Sequence, residues 1–285
     1  RYRRFPRFSG IVQRTIKAAR AALGKKAQEN SMDLAGKTIV ITGGGRGLGL
    51  AMAKRLAAAG CRLALVDLDE AALESAASEC REAGSPQAQG YIANVAKDSD
   101  VEVLFDDIAA DFGAIHGLVN NAGIIRDALT LKYKDGEQVS KMTLDQWQAV
   151  IDVNLTGVFL CGREAAAKMI DSGAKGCIIN ISSISRSGNM GQANYSAAKA
   201  GVEAMSVVWA KEFARYGIRS ASIAPGFIST DLVMSMKPEA LEKMTKPIPA
   251  GRLGDPDEIA HTVQFILENE YVNGRCIEVD GALRL

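Results

Sequence analysis

Histidine, paired cysteines and long apolar runs are what this sequence has least of. Only His116 and His261 occur in 285 residues, too few to build a zinc site or a histidine-based nucleophilic triad with any ease. The five cysteines (Cys61, Cys80, Cys161, Cys177, Cys276) are scattered, odd in number and without a C-x-x-C pair. In their apolar contexts they read as reduced, buried thiols of an intracellular protein. No apolar run approaches the ~20 residues of a membrane span. Net charge is also small, +1, but residues 1–26 hold nine Lys/Arg and no acid, which leaves 25 basic against 33 acidic residues elsewhere. An acidic body argues against a nucleic-acid-binding main domain. What is plentiful is ordinary: 47% apolar and 24% charged residues describe a globular protein.

Residues 1–32 differ from the rest. Val12, Ile16, Ala19 and Leu23 share a helical face, with Arg14, Lys17 and Lys25 roughly opposite. This basic extension resembles either a mitochondrial transit or membrane-surface segment or a plain linker before Met32. The expectation for the protein is cytoplasmic, or mitochondrial if the segment is a targeting sequence.

From residue 33 a repetitive pattern begins. A β-branched run at 38–41 and further short strand-like runs at 62–66, 89–92, 115–119, 176–181, 219–224 and 276–279 alternate with helical stretches at 47–59, 69–83, 98–112, 144–171, 195–216 and 256–267. Strands separated by helices of ten residues or more predict βαβ units and a parallel sheet covered on both faces. We expect one doubly wound α/β domain over 33–285, with about seven strands. Residues 227–250 lack a clean period and suit a lid.

The glycine run Thr42-Gly43-Gly44-Gly45-Arg46-Gly47-Leu48-Gly49 follows the first strand and opens a helix. Glycines there allow a tight turn and close approach to a pyrophosphate at the helix N-terminus. Asp67 ends the second strand, where a carboxylate can accept the adenosine ribose hydroxyls and repel a 2′-phosphate; Arg46 points the other way. The expected cofactor is therefore NAD rather than NADP. Tyr195-x-x-x-Lys199 places a phenol and an ammonium on one helical face. A cation beside a phenol lowers its pKa from ~10, which suits a general acid/base.

With Thr42–Gly49 stand Asn120-Asn121-Ala122-Gly123, Asn154, Ser182-Ser183, Tyr195-x-x-x-Lys199 and Pro225-Gly226, in the order and spacing of the short-chain dehydrogenase/reductase family. Over about 33–285 the chain resembles that family, whose fold is the Rossmann fold. Gly123-Ile-Ile-Arg126-Asp127, Gly191-Gln-Ala-Asn-Tyr195, Pro225 to Asp231 and Val279-Asp280-Gly281 are similar to its 3-oxoacyl-acyl-carrier-protein reductases. That branch usually prefers NADPH, so Asp67 is a departure.

The resemblance implies interconversion of a ketone and a secondary alcohol with NAD(P)(H), most naturally reduction of a 3-oxoacyl thioester. A dehydrogenase of small or alicyclic secondary alcohols is the alternative, and a non-catalytic dinucleotide sensor the remote one. Tyr195 would exchange the proton, Lys199 would lower its pKa and hold the nicotinamide ribose, and Asn154 would position a water. A serine hydroxyl would bond the substrate oxygen. Counting from the fifth strand selects Ser183; the family's thirteen-residue spacing to tyrosine selects Ser182. We take Ser183, because loops absorb a deletion more easily than strands change register. Gly43, Arg46, Gly47, Leu48, Gly49, Asp67, Asn94, Val95, Asn121, Ala122 and Gly123 would line the cofactor. Pro225, Gly226, Ile228 and Thr230 would frame the carboxamide, with Ile228 giving backbone contacts and Thr230 a hydroxyl. No metal is expected. Helices near 144–171 and 195–216 pair between subunits in the family, implying a homotetramer. The extra segment 129–142 would sit at the substrate mouth or form a surface hairpin; Trp147 and Trp209 read as core or interface packing.

Overall fold

Strand β1 (Thr38–Thr42) is buried along its whole length, and the molecule is layered around it. A computed structural model of the chain describes residues 32–285; the basic amphipathic segment lies outside the described residues. The order continues α1 (Gly47–Ala58), β2 (Arg62–Asp67), α2 (Glu70–Glu82), β3 (Ala88–Ile92), α3 (Asp98–Phe112) and β4 (Gly117–Asn120). A hairpin β5 (Leu131–Lys134) and β6 (Glu137–Lys141) precedes α4 (Leu144–Ile151), a π-turn (Asp152–Thr156) and α5 (Gly157–Asp171). Then come β7 (Gly176–Ile181), α6 (Ala193–Glu212), β8 (Ile218–Pro225), the short α7 (Asp231–Met234) and α8 (Pro238–Thr245), α9 (Pro256–Glu268) and β9 (Cys276–Val279).

Seven strands form one parallel sheet in the order β3-β2-β1-β4-β7-β8-β9. Alternation along β1 divides the core: Ile39 and Ile41 pack with Met52, Leu56, Leu73, Val263 and Ile266 of α1, α2 and α9. Val40 faces the other layer, with Phe105, Ile108, Cys161, Met169 and Trp209 of α3, α5 and α6. Helices thus cover both faces, as the strand–helix alternation requires. The strand order reverses between β1 and β4, which opens a crevice at their carboxyl ends.

Three features depart from the expected pattern. The predicted long helix over 144–171 is interrupted by the π-turn, closed by the Gly157 N–H to Asp152 O bond. The helix carrying Tyr195 ends at Glu212, and a 3-10 turn (Ala214–Tyr216) follows. Residues 131–141 form a two-stranded hairpin turning at Asp135 and Gly136, both at positive φ, the Asp-Gly signature of a tight hairpin turn. Among the described residues no helix is long and apolar enough to cross a membrane. All five cysteines are free; Cys276 alone is not fully buried.

Candidate active site

At the switch point the glycines are sterically dictated. Gly43 has φ +64°, and a Cβ on it would lie 2.9 Å from Asn121 Nδ2; one on Gly49 would lie 1.9 Å from Gly43 O. Asn121 Nδ2 donates to Thr42 O (3.0 Å) and Gly43 O (3.1 Å). Thr42 Oγ1 accepts the N–H groups of Asn121 and Ala122 at 3.0 and 3.1 Å. The end of β4 is thereby stitched to the turn after β1. Helix α1 begins there with no side-chain cap and no acid in its first turn, so its positive dipole end stays open to an anion.

A cavity of about 340 Å³ lies beside this turn, lined by Gly43, Arg46, Asp67, Asn94, Ala122 and Gly123 among others. Asp67 Oδ2 accepts the Gly45 N–H at 3.3 Å and Oδ1 accepts the Leu68 N–H at 2.8 Å, which aims the carboxylate along the cavity rim. Arg46 is exposed and lies 3.7 Å from Asp69 Oδ2. Asn94 Oδ1 accepts the Ala96 N–H at 3.0 Å, and Val95 is buried. A glycine cradle, an uncapped helix end and a carboxylate at the end of β2 fit the pyrophosphate and adenosine of a dinucleotide.

Across β7 from this turn stands α6. Asn194, fully buried, donates from Nδ2 to Arg126 O (3.1 Å) and Gln146 O (3.0 Å), and its Oδ1 accepts the Tyr195 N–H at 2.8 Å. That clamp sets the first turn of the helix and hence the direction of Tyr195. One turn on, Lys199 is 3% exposed. Its Nζ donates to Ile181 O at 2.7 Å and lies 5.6 Å from the Tyr195 ring centroid. Burial lowers the Lys199 amine to about 8.

Ser182 donates from Oγ to Lys199 O at 2.9 Å, so its hydroxyl is turned onto the helix backbone. Ser183 Oγ accepts the Ser185 N–H at 3.1 Å and stands near enough to the Tyr195 phenol to influence its ionisation. Burial pushes that phenol up, Ser183 pulls it back by stabilising the phenolate, and the Asp127 carboxylate adds to the rise. The net direction at the phenol is up, where helical spacing to Lys199 predicts a lowering: the Lys199 ammonium donates to Ile181 O, and burial is the first cause of the shift at both groups.

Asn154 sits fully buried in the π-turn. Its Oδ1 accepts the Ile124 N–H (2.8 Å) and its Nδ2 donates to Ile124 O (3.0 Å). The side chain therefore pins the segment after Gly123. Farther along the same edge, Gly226 N–H donates to Val279 O at 2.9 Å, and a Cβ on it would be 2.7 Å from Asp280 Cα. Ile228 is buried and bridges to Gly254, and the Thr230 N–H donates to Ile228 O at 2.8 Å. Among the described residues no cluster of three or more potential metal ligands occurs.

A family model described as enoyl-(acyl carrier protein) reductase matches residues 43–283. Two proteins of Synechocystis sp., an acetoacetyl-CoA reductase and a 3-oxoacyl-[acyl-carrier-protein] reductase, are each 39% identical to this chain, over 256 and 254 residues. Each alignment covers 88% of this chain and 98% of the relative. The chain belongs to the short-chain dehydrogenase/reductase family. It is thus an oxidoreductase of CH–OH/C=O centres that works with NAD(P)(H). A crystal structure of a candidate gluconate dehydrogenase from Agrobacterium tumefaciens has the same fold, with TM-score 0.80 and 35% identity over 88% of this chain and 97% of that one.

Within this short-chain dehydrogenase/reductase, the expected residues fall into two groups. Gly43, Arg46, Asp67, Asn94, Val95, Asn121, Ala122 and Gly123 line one cavity, together with Val66, Leu68, Ala93, Ile124 and Val153, which sequence reasoning missed. Those five are apolar neighbours of predicted residues and carry no chemical signal of their own. Gly47, Leu48 and Gly49 build the turn beneath without lining that cavity, and Pro225, Gly226, Ile228 and Thr230 lie beyond β7. The hairpin is rooted beside Tyr195: the Ala128 N–H donates to Gly191 O at 2.9 Å. Trp209 is buried under α5, against Gly162, whereas Trp147 is half-exposed.

Proposed function

We propose that this enzyme reduces the 3-oxo group of an acyl thioester, on acyl-carrier protein or coenzyme A, with NADH as the preferred donor. Residues 33–285 form the single catalytic domain of this reading. The observation that carries it is the meeting of Ser183, Tyr195 and Lys199 beside the glycine-lined cavity, in a chain whose relatives include an acetoacetyl-CoA reductase and a 3-oxoacyl-[acyl-carrier-protein] reductase. When bound, the nicotinamide supplies a hydride to the carbonyl carbon. Gly43, Arg46, Gly47, Leu48, Gly49 and Asp67 would hold its pyrophosphate and adenosine ribose; Asn94, Val95, Asn121, Ala122 and Gly123 would flank the adenine and floor. Pro225, Gly226, Ile228 and Thr230 would frame the carboxamide.

Tyr195 donates its phenolic proton to the carbonyl oxygen during reduction and takes it back in oxidation. Ser183 accepts from Ser185, which leaves its own proton to donate to the oxygen as charge develops there. Lys199, buried and cationic below about pH 8, offsets negative charge on the phenolate and holds the nicotinamide ribose. Asn154 keeps the loop beneath in register through Ile124.

Preference for NAD rests on Asp67, whose carboxylate would meet a 2′-phosphate, while Arg46 leans to Asp69. Asp67→Asn should narrow the NADPH-to-NADH Kd ratio by about tenfold or more, roughly 1.4 kcal/mol, in fluorescence titrations. A wild-type ratio already favouring NADPH contradicts the NAD assignment. Exposed Leu144, Phe159, Val207 and Val208 on α4, α5 and α6 support a homotetramer. Residues 227–250 and the hairpin would cover the substrate. The five free cysteines suit a reducing compartment such as the cytoplasm.

A second reading, oxidation of a small hydroxy compound, is favoured by the likeness to the candidate gluconate dehydrogenase. Steady-state comparison of acetoacetyl-CoA, gluconate and an alicyclic alcohol separates the two. We expect kcat/KM for the thioester to lead; turnover confined to gluconate or the alcohol reverses the assignment.

A further inference from the structure

Directly after Ser183 the chain makes a 3-10 turn (Ile184–Ser187), and the third residue past the serine is an arginine turned inward. The Arg186 side chain is 13% exposed. Its Nε meets Glu203 Oε2 at 2.5 Å, its Nη2 pairs with Glu278, and its Nη1 donates to Ser183 O at 3.2 Å. The Arg186 backbone N–H donates to the same carbonyl at 3.1 Å. Glu203 lies on α6, four residues past Lys199 and eight past Tyr195, on the same stripe of the helix. Glu278 is on β9 and is shared with Arg284 at 2.9 Å, which also pairs with Asp280.

One guanidinium thereby joins the loop carrying Ser183, the helix carrying Tyr195 and Lys199, and the edge strand. A lysine, a single point charge, could not grip two carboxylates and a carbonyl with one planar fork. The loop it braces runs only from Ile184 to Gln192, and the distance between the serine hydroxyl and the phenol depends on it.

Resting on the oxidoreductase reading of Ser183 and Tyr195, we propose that Arg186 is a positioning residue. Through Glu203 and Glu278 it ties the loop carrying Ser183 to α6 and β9, and so fixes where the Ser183 hydroxyl stands relative to the Tyr195 phenol. It touches neither substrate nor cofactor. The charged groups around the pair are Lys199 on α6 itself and Asp127 from the loop after β4; around Arg186 they are Glu203, Glu278 and Arg284, with Cys276 beside them.

The test is a double-mutant cycle read in two ways. Arg186→Met is expected to lower kcat on acetoacetyl-CoA about tenfold to a hundredfold, the range for a misplaced catalytic group, with cofactor Kd unchanged. In a Ser183→Ala background the same substitution should lower kcat less than threefold, because the group it acts through is gone. Glu203→Gln should reproduce the direction of Arg186→Met, and Arg186→Lys should recover part of the loss. Tyrosinate absorbance, taken as the difference from Tyr195→Phe, supplies a readout independent of turnover: Arg186→Met should move Tyr195 ionisation to higher pH. Equal losses with and without Ser183, or an unmoved Tyr195 titration in a folded Arg186→Met or Glu203→Gln protein, overturn the proposal. Wild-type inactivity on every carbonyl tried, with the titration shift intact, would instead count against the functional reading and leave the strut standing.

Discussion

Tyr195→Phe loses about a thousandfold in kcat and keeps its cofactor. The substitution deletes one oxygen at the mouth of the crevice and nothing that touches the glycine turn. General acid catalysis contributes ~10²–10⁴-fold, and a thousandfold is about 4 kcal/mol of barrier. The fold tolerates the change, since the backbone of Tyr195 is held by Asn194 and the phenol is not a structural anchor; stability should move by no more than ~1 kcal/mol. Cofactor Kd by fluorescence, kcat by steady-state assay and Tm together check this. A variant with a tenth or more of wild-type kcat removes Tyr195 from the proton-transfer role.

Lys199→Met should abolish activity to a similar extent and change the pH dependence of stability in a definite direction. Lowering the buried amine from 10.5 to about 8 costs the fold roughly 3 kcal/mol at neutral pH, at about 1.4 kcal/mol per pH unit. The unfolded chain holds that proton up to about pH 10.5 and the folded chain releases it near 8, so the unfolded state binds more protons between them. Stability attributable to Lys199 therefore rises with pH across that window. The variant lacks the rise. It also leaves Ile181 O without its 2.7 Å donor, a loss of ~1–3 kcal/mol that largely offsets the relief at pH 7. The buried thiols, raised to about 11 or 12, pull the other way above pH 9 in both proteins, so the quantity to read is the wild-type-minus-variant difference in unfolding free energy. It should increase by about 3 kcal/mol between pH 7 and pH 10.5. A flat difference means Lys199 is not titrating as its burial requires.

Much of this architecture was legible because local signals and global fold agree. Short strand runs separated by helices are what a parallel sheet needs, and the buried runs of β1 and β2, ending at the glycine turn and at Asp67, mark its switch point. The site was legible where chemistry is concentrated in single residues: Gly49, Asp67, Asn121, Tyr195. It was not legible where geometry depends on partners far along the chain. The π-turn at Asn154 exists with that side chain bonded to Ile124, thirty residues earlier, and mid-helix Asn alone says only that the helix is weak there. Lys199 turns to Ile181 O across eighteen residues, so helical spacing to Tyr195 predicted proximity but not its electrostatic result. Strand counting and loop counting disagree about the serines, and local geometry separates them: Ser182 bonds the α6 backbone, whereas Ser183 stands near the phenol and influences its ionisation. Arg186 was invisible because Glu278 is ninety-two residues away. The hairpin was half-visible in Asp135-Gly136, whose turn chemistry is local.

The most direct measurement mixes the purified enzyme with acetoacetyl-CoA and reduced nicotinamide and follows loss of nicotinamide absorbance together with the acyl product. With NADH, oxidation should proceed one-for-one with appearance of 3-hydroxybutyryl-CoA, and Tyr195→Phe should show neither. Absence of turnover with both NADH and NADPH would contradict the assignment of this crevice to 3-oxoacyl thioester reduction.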